Sequence, residues 1–404
     1  MTALRTTQRR QTSIMLIGTA VAVVLVGVLG LAGVGALRRY EGATKVEVDY
    51  VELAPTKVGM LATVDEIDRL TTVTVFVLTP EAGGRVGGSV ISVPIAADTT
   101  FGVGDDRVSL AEAYAAEGPS EFGSIVESVL SITLDEWEVL NAPAAAALLA
   151  PLGSVEVDFP AAVVTTDNDE NVTLHEAGPN TLSVGALVDV FDAQVTGTPE
   201  SSRRPNVEAV WAGIAAAVGP GIGSVAPEAP IDSLGTIVQR LLAGPVASRG
   251  LASNPVEAAD NPAGDDVVSL DRGDVVMVFA SVAPNSMSAP APGLVYRIEA
   301  PSGYDDRVRF AISAVLYFGG NVQSVYISDS VAVEPSTVFE IYDPRFEERT
   351  EESAALFGMV RFEAPTVKIS GVDAVIRLGS EFLDGSAMGL PSVTSTTFST
   401  GVDN

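Results

Sequence analysis

No cysteine occurs among the 404 residues, and there is a single histidine, His175. The missing thiols exclude disulfides, iron-sulfur clusters and thiolate zinc sites, so an exported domain has to stand on its core alone. One histidine removes most histidine-based metal sites and leaves any Ser-His-Asp triad dependent on that residue. Charged residues are sparse, at 19% against 47% hydrophobic, an ordinary balance for a globular protein with one membrane span. Lysine is nearly absent beyond residue 45, where 15 Arg and two Lys make up the basic residues, so an arginine in a loop is informative.

The formal charge of −29 is unevenly placed: residues 1–45 carry a net +5, leaving −34 on the rest. A body that acidic repels nucleic acid and anionic lipid headgroups at long range. Any anionic ligand would need a locally basic pocket.

Ile14–Leu37 is an apolar run without a charge, spanning roughly 35 Å as a helix, enough to cross a bilayer core. It is longer than a signal-peptide core, which favours an uncleaved single-pass anchor. The short arginine-bearing N-terminus then stays in the cytoplasm and the acidic body lies outside. The body is organised around Thr72–Thr100, which reads as two buried strands, Val73–Leu78 and Ser89–Val93, joined through Pro80 and glycines. Val46–Val51 alternates as an edge strand. Helices are expected at Ser109–Glu117, Pro119–Ser131, Pro143–Leu149, Ser183–Asp192, Asn206–Val218 and Asp232–Ala243, with a strand at Val155–Phe159. Thr165–Asn171 reads as an acidic loop, Gly244–Gly264 as an irregular connection, and Val275–Val282 as a strand.

Ser286–Gly293 has the composition of a linker. Beyond it, strands at Leu294–Glu299, Val322–Ile327, Thr337–Tyr342 and Ala374–Leu378 alternate with helices at Tyr304–Phe318 and Arg345–Phe357. That is the β-α-β-β-α-β order of a ferredoxin-like domain. The expected organisation is a cytoplasmic segment 1–13, an anchor 14–37, an α/β domain 46–285, a linker 286–293, a second domain 294–384 and a disordered tail 385–404. His175 reads as an exposed loop residue and Asp68-Arg69 as a local surface pair, and Glu347, Glu348, Glu351 and Glu352 as carboxylates favouring a helix start.

Thr72–Pro160 resembles the LytR-CpsA-Psr family of extracytoplasmic cell-envelope proteins. The carriers are Val75-Phe76-Val77-Leu78-Thr79-Pro80, Ser92-Val93-Pro94 with Asp98-Thr99 beyond, Arg107–Ala115, Glu127–Trp137, and above all Leu152-Gly153-Ser154-Val155-Glu156-Val157-Asp158-Phe159-Pro160. Leu294–Leu378 resembles the C-terminal domain often appended to that family. The resemblance implies an α/β/α sheet domain, and transfer of a glycopolymer from a polyprenyl-pyrophosphate carrier onto peptidoglycan with magnesium. Arginines would hold the pyrophosphate and a carboxylate the metal, because charge develops on phosphate oxygens as the leaving group departs. The residues carried over are Arg107, Arg203 and Arg204 for the pyrophosphate and Asp98 for the metal. Where the family has an arginine between the proline and the aspartate, this chain has Ile95-Ala96-Ala97, and Leu70-Thr71-Thr72 replaces the aspartate before the first core strand. Three readings stay open. The first is non-catalytic or weak binding of a polyprenyl-linked glycan or peptidoglycan, the second an active transferase with a rebuilt arginine site, and the third an envelope scaffold that binds a protein partner through the C-terminal domain.

Overall fold

The computed structural model describes residues 49–80, 86–101, 107–226, 229–288, 293–343, 346–365 and 367–385. The expected anchor, the N-terminal segment, the tail beyond 385 and residues 289–292 of the linker lie outside these residues. Among the described residues no helix is long and apolar enough to cross a membrane. Of the expected edge strand, Asp49–Val51 is described and is extended.

The strands expected at Val73–Leu78 and Ser89–Val93 form as Leu70–Leu78 and Gly88–Val93, an antiparallel pair inside a five-stranded sheet. The sheet runs Val246–Gly250, Gly88–Val93, Leu70–Leu78, Val58–Val64, Glu136–Asn141. Its outer pairs are parallel and Leu70–Leu78 alone runs against its neighbours, so four strands end at the same edge.

Both faces of the sheet are covered. Leu61, Phe76, Leu78 and Val90 pack against the helices Ala142–Leu149, Val184–Asp192, Arg204–Val218 and Leu234–Leu242. Met60, Ala62, Val73, Val75, Val77 and Ile91 face the helices Leu110–Glu117, Pro119–Leu130 and Arg272–Val282. Strict alternation of side chains along each strand sends neighbours to opposite layers, and the α/β/α expectation is met. Phe76, Phe191 and Trp211 fill the first layer: Trp211 stacks on Phe191 at 5.3 Å and meets Phe76 edge-on at 5.7 Å. Gly213 lets the Arg204–Val218 helix approach the Ser154–Phe159 strand, since a Cβ there would lie 2.6 Å from the Glu156 carbonyl oxygen.

Several expectations are corrected. Val275–Val282 is helical, part of Arg272–Val282, because Asp271 caps it by accepting from the Asp274 N–H and because it is buried on nearly every side. Thr165–Asn171 is a β-hairpin, Val163–Asp167 with Glu170–His175, whose turn residues Asn168 and Asp169 both have positive φ, as a tight two-residue turn requires. Gly244–Gly264 contains the edge strand Val246–Gly250 and the short strand Ser253–Pro255.

The second sheet runs Asn321–Ile327, Val295–Ala300, Ala374–Arg377, Thr337–Ile341, Val360–Glu363. Here the ferredoxin-like expectation fails. In that fold a strand is inserted between the two parallel strands of each unit, whereas Val295–Ala300 pairs directly with Asn321–Ile327, and Thr337–Ile341 directly with Val360–Glu363. The last strand, Ala374–Arg377, joins the two units, parallel to one and antiparallel to the other. One continuous core extends from the central sheet through Val275–Ala280 to Ile298, Ile312, Phe339 and Phe382. The Arg272–Val282 helix therefore serves both sheets.

Candidate functional site

Ligands of α/β sheets collect where strands end in loops. At the shared edge of the central sheet, Val64, Val93, Asn141 and Gly250 end their strands and Leu70 begins the reversed one. A cleft of about 350 Å³ opens there, lined by Arg69, Leu70, Ile95, Ala96, Ser109, Ala111, Glu112, Ala115, Gln194, Glu200, Asp265 and Asp266. Its charged lining is one arginine and four carboxylates.

Three of the four carboxylates are already anchored, Glu200 by Arg204. Glu112 accepts from the Ser109 N–H at 2.8 Å and the Ser109 hydroxyl at 2.9 Å, closing a capping box at the start of the Leu110–Glu117 helix. Asp266 accepts from the Glu200 N–H at 2.6 Å. Arg69 is held by Asp65, with Nε–Oδ2 at 2.7 Å. Its sequence neighbour Asp68 turns elsewhere and accepts from the Tyr114 hydroxyl at 2.8 Å, so Asp68 and Arg69 are not partners of each other.

None of the four residues carried over from the resemblance lines this cleft. Asp98 and Arg107 pair with each other, Nη1–Oδ2 at 3.3 Å, with side chains 7% and 9% exposed. The other Asp98 oxygen accepts from the Thr100 N–H at 2.9 Å and the Thr100 hydroxyl at 2.7 Å. Arg107 Nε donates to the Asp260 carbonyl at 3.0 Å. Magnesium does not fit this donor set: both carboxylate oxygens are engaged, and a cation would lie against the Arg107 guanidinium. Among the described residues no group of three or more carboxylates or histidines has the arrangement of a metal site.

Arg204 is bound by Glu200, its partner one turn away, and donates Nη1 to the Ser253 hydroxyl at 2.7 Å. Arg203 sits deeper. Nη1 donates to the Phe191 carbonyl at 2.7 Å and Nη2 to the Thr71 carbonyl, tying the end of the Val184–Asp192 helix to the start of the Leu70–Leu78 strand. Burial pulls its pKa below the ordinary guanidinium value, partly offset by Glu200 and Asp192. The structure thus brings Asp98 to Arg107 and Arg204 to Glu200, and uses Arg203 as a brace.

Beside this brace is a group the sequence reading did not single out. Asp192 accepts from the Thr71 hydroxyl at 3.0 Å, and the Thr63 hydroxyl meets those of Thr71 and Thr72 at 2.7 and 2.6 Å. Burial pushes the Asp192 carboxyl up to about 6, and Asp65 and Asp189 add to it against the Thr71 hydrogen bond and Arg203. The only hint in the sequence is the run of threonines at a strand start. His175 lies in a strand, stacked on Phe159 at 5.8 Å, and not in a loop.

No family model and no curated protein matches this chain. Among solved structures, similar chains include TagV from B. subtilis, at 12% identity and TM-score 0.40, aligned over 55% of this chain and 94% of that one. Another is a LytR-Csp2A-Psr enzyme from Actinomyces oris, at 15% identity and TM-score 0.35, over 55% and 91%. A third is the LytR-CPS2A-psr family protein YwtF (TagT) with bound octaprenyl pyrophosphate lipid, at 17% identity and TM-score 0.35, over 55% and 86%.

Proposed function

We propose that this chain binds a cell-wall glycan at the envelope without transferring it. The single observation that carries the reading is the fate of the candidate cations. Arg107 and Arg204 are paired to Asp98 and Glu200, Arg203 is bonded to two carbonyls, and the cleft presents four carboxylates and one paired arginine. A pyrophosphate needs free, preorganised guanidinium groups, while carboxylates and amides suit the hydroxyl donors of a sugar. The sequence resemblance of Leu152–Pro160 to the LytR-CpsA-Psr family supplies the cell-wall context. In this reading Ile14–Leu37 is an uncleaved anchor, and the acidic body faces away from the cytoplasm.

The test uses the full-length protein in detergent with a polyprenyl-pyrophosphate-linked glycopolymer, peptidoglycan and magnesium. The expected result is retention of glycan fragments on the protein with no release of polyprenyl phosphate or pyrophosphate. Magnesium-dependent release that is lost in Arg203→Ala/Arg204→Ala would overturn the reading in favour of a transferase. Retention of no glycan, with capture of an envelope protein by the C-terminal unit, would favour the scaffold.

A further inference from the structure

The cleft at the strand ends carries a charge that discriminates between glycans. Two of its five charged lining residues are neutralised, Arg69 by Asp65 and Glu200 by Arg204. Glu112 and Asp266 accept from backbone N–H groups, which leave their net charge in place, and the Asp265 carboxylate has no partner among the described residues. Three lining carboxylates thus stand without an ion-pair partner among those residues. Glu112, Asp265 and Asp266 are exposed, as is Gln194, while Leu70, Ile95 and Ala96 are buried and give the cleft an apolar side.

A cleft of about 350 Å³ is roughly 9 Å across, comparable with the Debye length of about 8 Å at 0.15 M salt, so a charge inside it feels its lining carboxylates. A neutral ligand that displaced water there would desolvate these carboxylates without offsetting their charge, and an anion would be repelled as well. A cation offsets that charge and donates charge-assisted hydrogen bonds. The described residues include no group arranged to hold a metal ion, whereas an organic ammonium brings its own N–H donors and needs no fixed coordination shell.

The volume is at the small end of the range for ligand clefts, about 300–1,000 Å³, and an apolar side with a few polar groups is their usual composition. That suits one or two sugar units and not a folded partner. We propose that the cleft takes an amino sugar whose nitrogen is unacetylated and carries an ammonium charge. The ammonium lies among Glu112, Asp265 and Asp266, and the carbon side of the ring lies toward Leu70, Ile95 and Ala96. The inference rests on the glycan-binding reading and names the class of glycan that the cleft selects.

Isothermal titration of the full-length protein in detergent tests it at about pH 6, where an amine is protonated, and about 0.15 M salt. The probes are glucosamine trisaccharide, N-acetylglucosamine trisaccharide and trilysine. The free-amine trisaccharide should bind at least about tenfold more tightly than either of the others. Asp265→Asn and Glu112→Gln each remove one charge, and glutamine also serves in a capping box, so the helix start is kept. Each should weaken binding of the free-amine trisaccharide at least about fivefold. Asp329→Asn, which removes an exposed charge outside the cleft lining, should change it less than about twofold. Equal or tighter binding of the acetylated trisaccharide, or undiminished binding by either cleft variant, overturns the charge selection and leaves glycan binding standing. An equal loss in Asp329→Asn means that the acidic body attracts any cation, and overturns the assignment to the cleft. Trilysine binding as tightly as the free-amine trisaccharide overturns the sugar assignment. No binding of either trisaccharide overturns this inference and the glycan-binding reading together.

Discussion

Replacing Arg107 with alanine separates a structural ion pair from a phosphate ligand. The Arg107 and Asp98 side chains are 9% and 7% exposed, and Arg107 also bonds the Asp260 carbonyl, so it ties the segment after Val93 to a loop more than 150 residues on. Removing one partner of a buried pair leaves an uncompensated charge and typically costs about 3–5 kcal/mol. Asp98 keeps its two bonds from Thr100, which places the expected loss for Arg107→Ala near the lower end, about 3 kcal/mol. The assay is urea unfolding followed by tryptophan fluorescence, with Asp98→Asn and the Asp98→Asn/Arg107→Met double variant completing the cycle. The double variant should recover at least about half of the loss, since no charge is then left buried. Were Arg107 held for a ligand, its removal would leave stability within about 0.5 kcal/mol of the native protein, as for an ordinary surface change, and the structural argument would be refuted.

Three further outcomes follow from the packing and charge. Asp192 has a folded pKa near 6 against 3.8 for the free group, so its contribution is fully present below about pH 3.8 and is lost as pH rises through 6. Asp192→Asn should therefore raise the urea midpoint at pH 7 and flatten its change between pH 4 and 7; parallel curves for the two proteins would count against this. Gly213→Ala should cost roughly 1–3 kcal/mol in the same assay, because the new Cβ meets the backbone oxygen of Glu156, which cannot move aside as a side chain would. Asp274→Ala should cost about 3 kcal/mol. Its carboxylate, 1% exposed, binds Arg249 of the central sheet at 2.5 Å and the Ala252 N–H at 2.9 Å, with Arg309 of the Asp305–Tyr317 helix 3.8 Å away. A change under about 1 kcal/mol would mean the half-exposed arginines carry most of the charge on their own.

Local signals in the sequence located most elements well. Ser109 caps a helix as expected and the helix expected to begin at Ser183 does so, whereas Ser120, also readable as a cap, lies inside the Pro119–Leu130 helix that follows Gly118; Val155–Phe159 alternates in the structure as it does in the sequence. The failures share a cause, since burial on both sides erases the period that pattern reading depends on. Val58–Val64 is buried at every position and contains Gly59 and Met60, so it offers no alternation, although it is next to the centre of the sheet. Val275–Val282 is packed between two sheets, so its helical face disappears and its valines suggest a strand. Edge strands fail the opposite way: Val246–Gly250 carries Ala, Ser and Arg because only part of it is covered. The candidate site was legible as residue types and not as partners. Arg107 meets Asp98 nine residues earlier, and Arg203 meets Thr71 from 132 residues away, which only the tertiary fold decides.

That last pairing decides what this arginine does in the fold. A guanidinium at the sheet edge has to be met by something, because an isolated buried cation is strongly unfavourable. Arg203 is met by backbone carbonyls of the Leu70–Leu78 strand and of the Val184–Asp192 helix. It then fastens the strand to the helix. The cleft is lined by Glu200, Asp265 and Asp266 and not by this guanidinium, so an anion entering it meets carboxylates. Building an anion site here would accordingly take more than adding an arginine between Pro94 and Asp98. The brace would have to be released as well, at the expense of the contact between strand and helix that it now maintains.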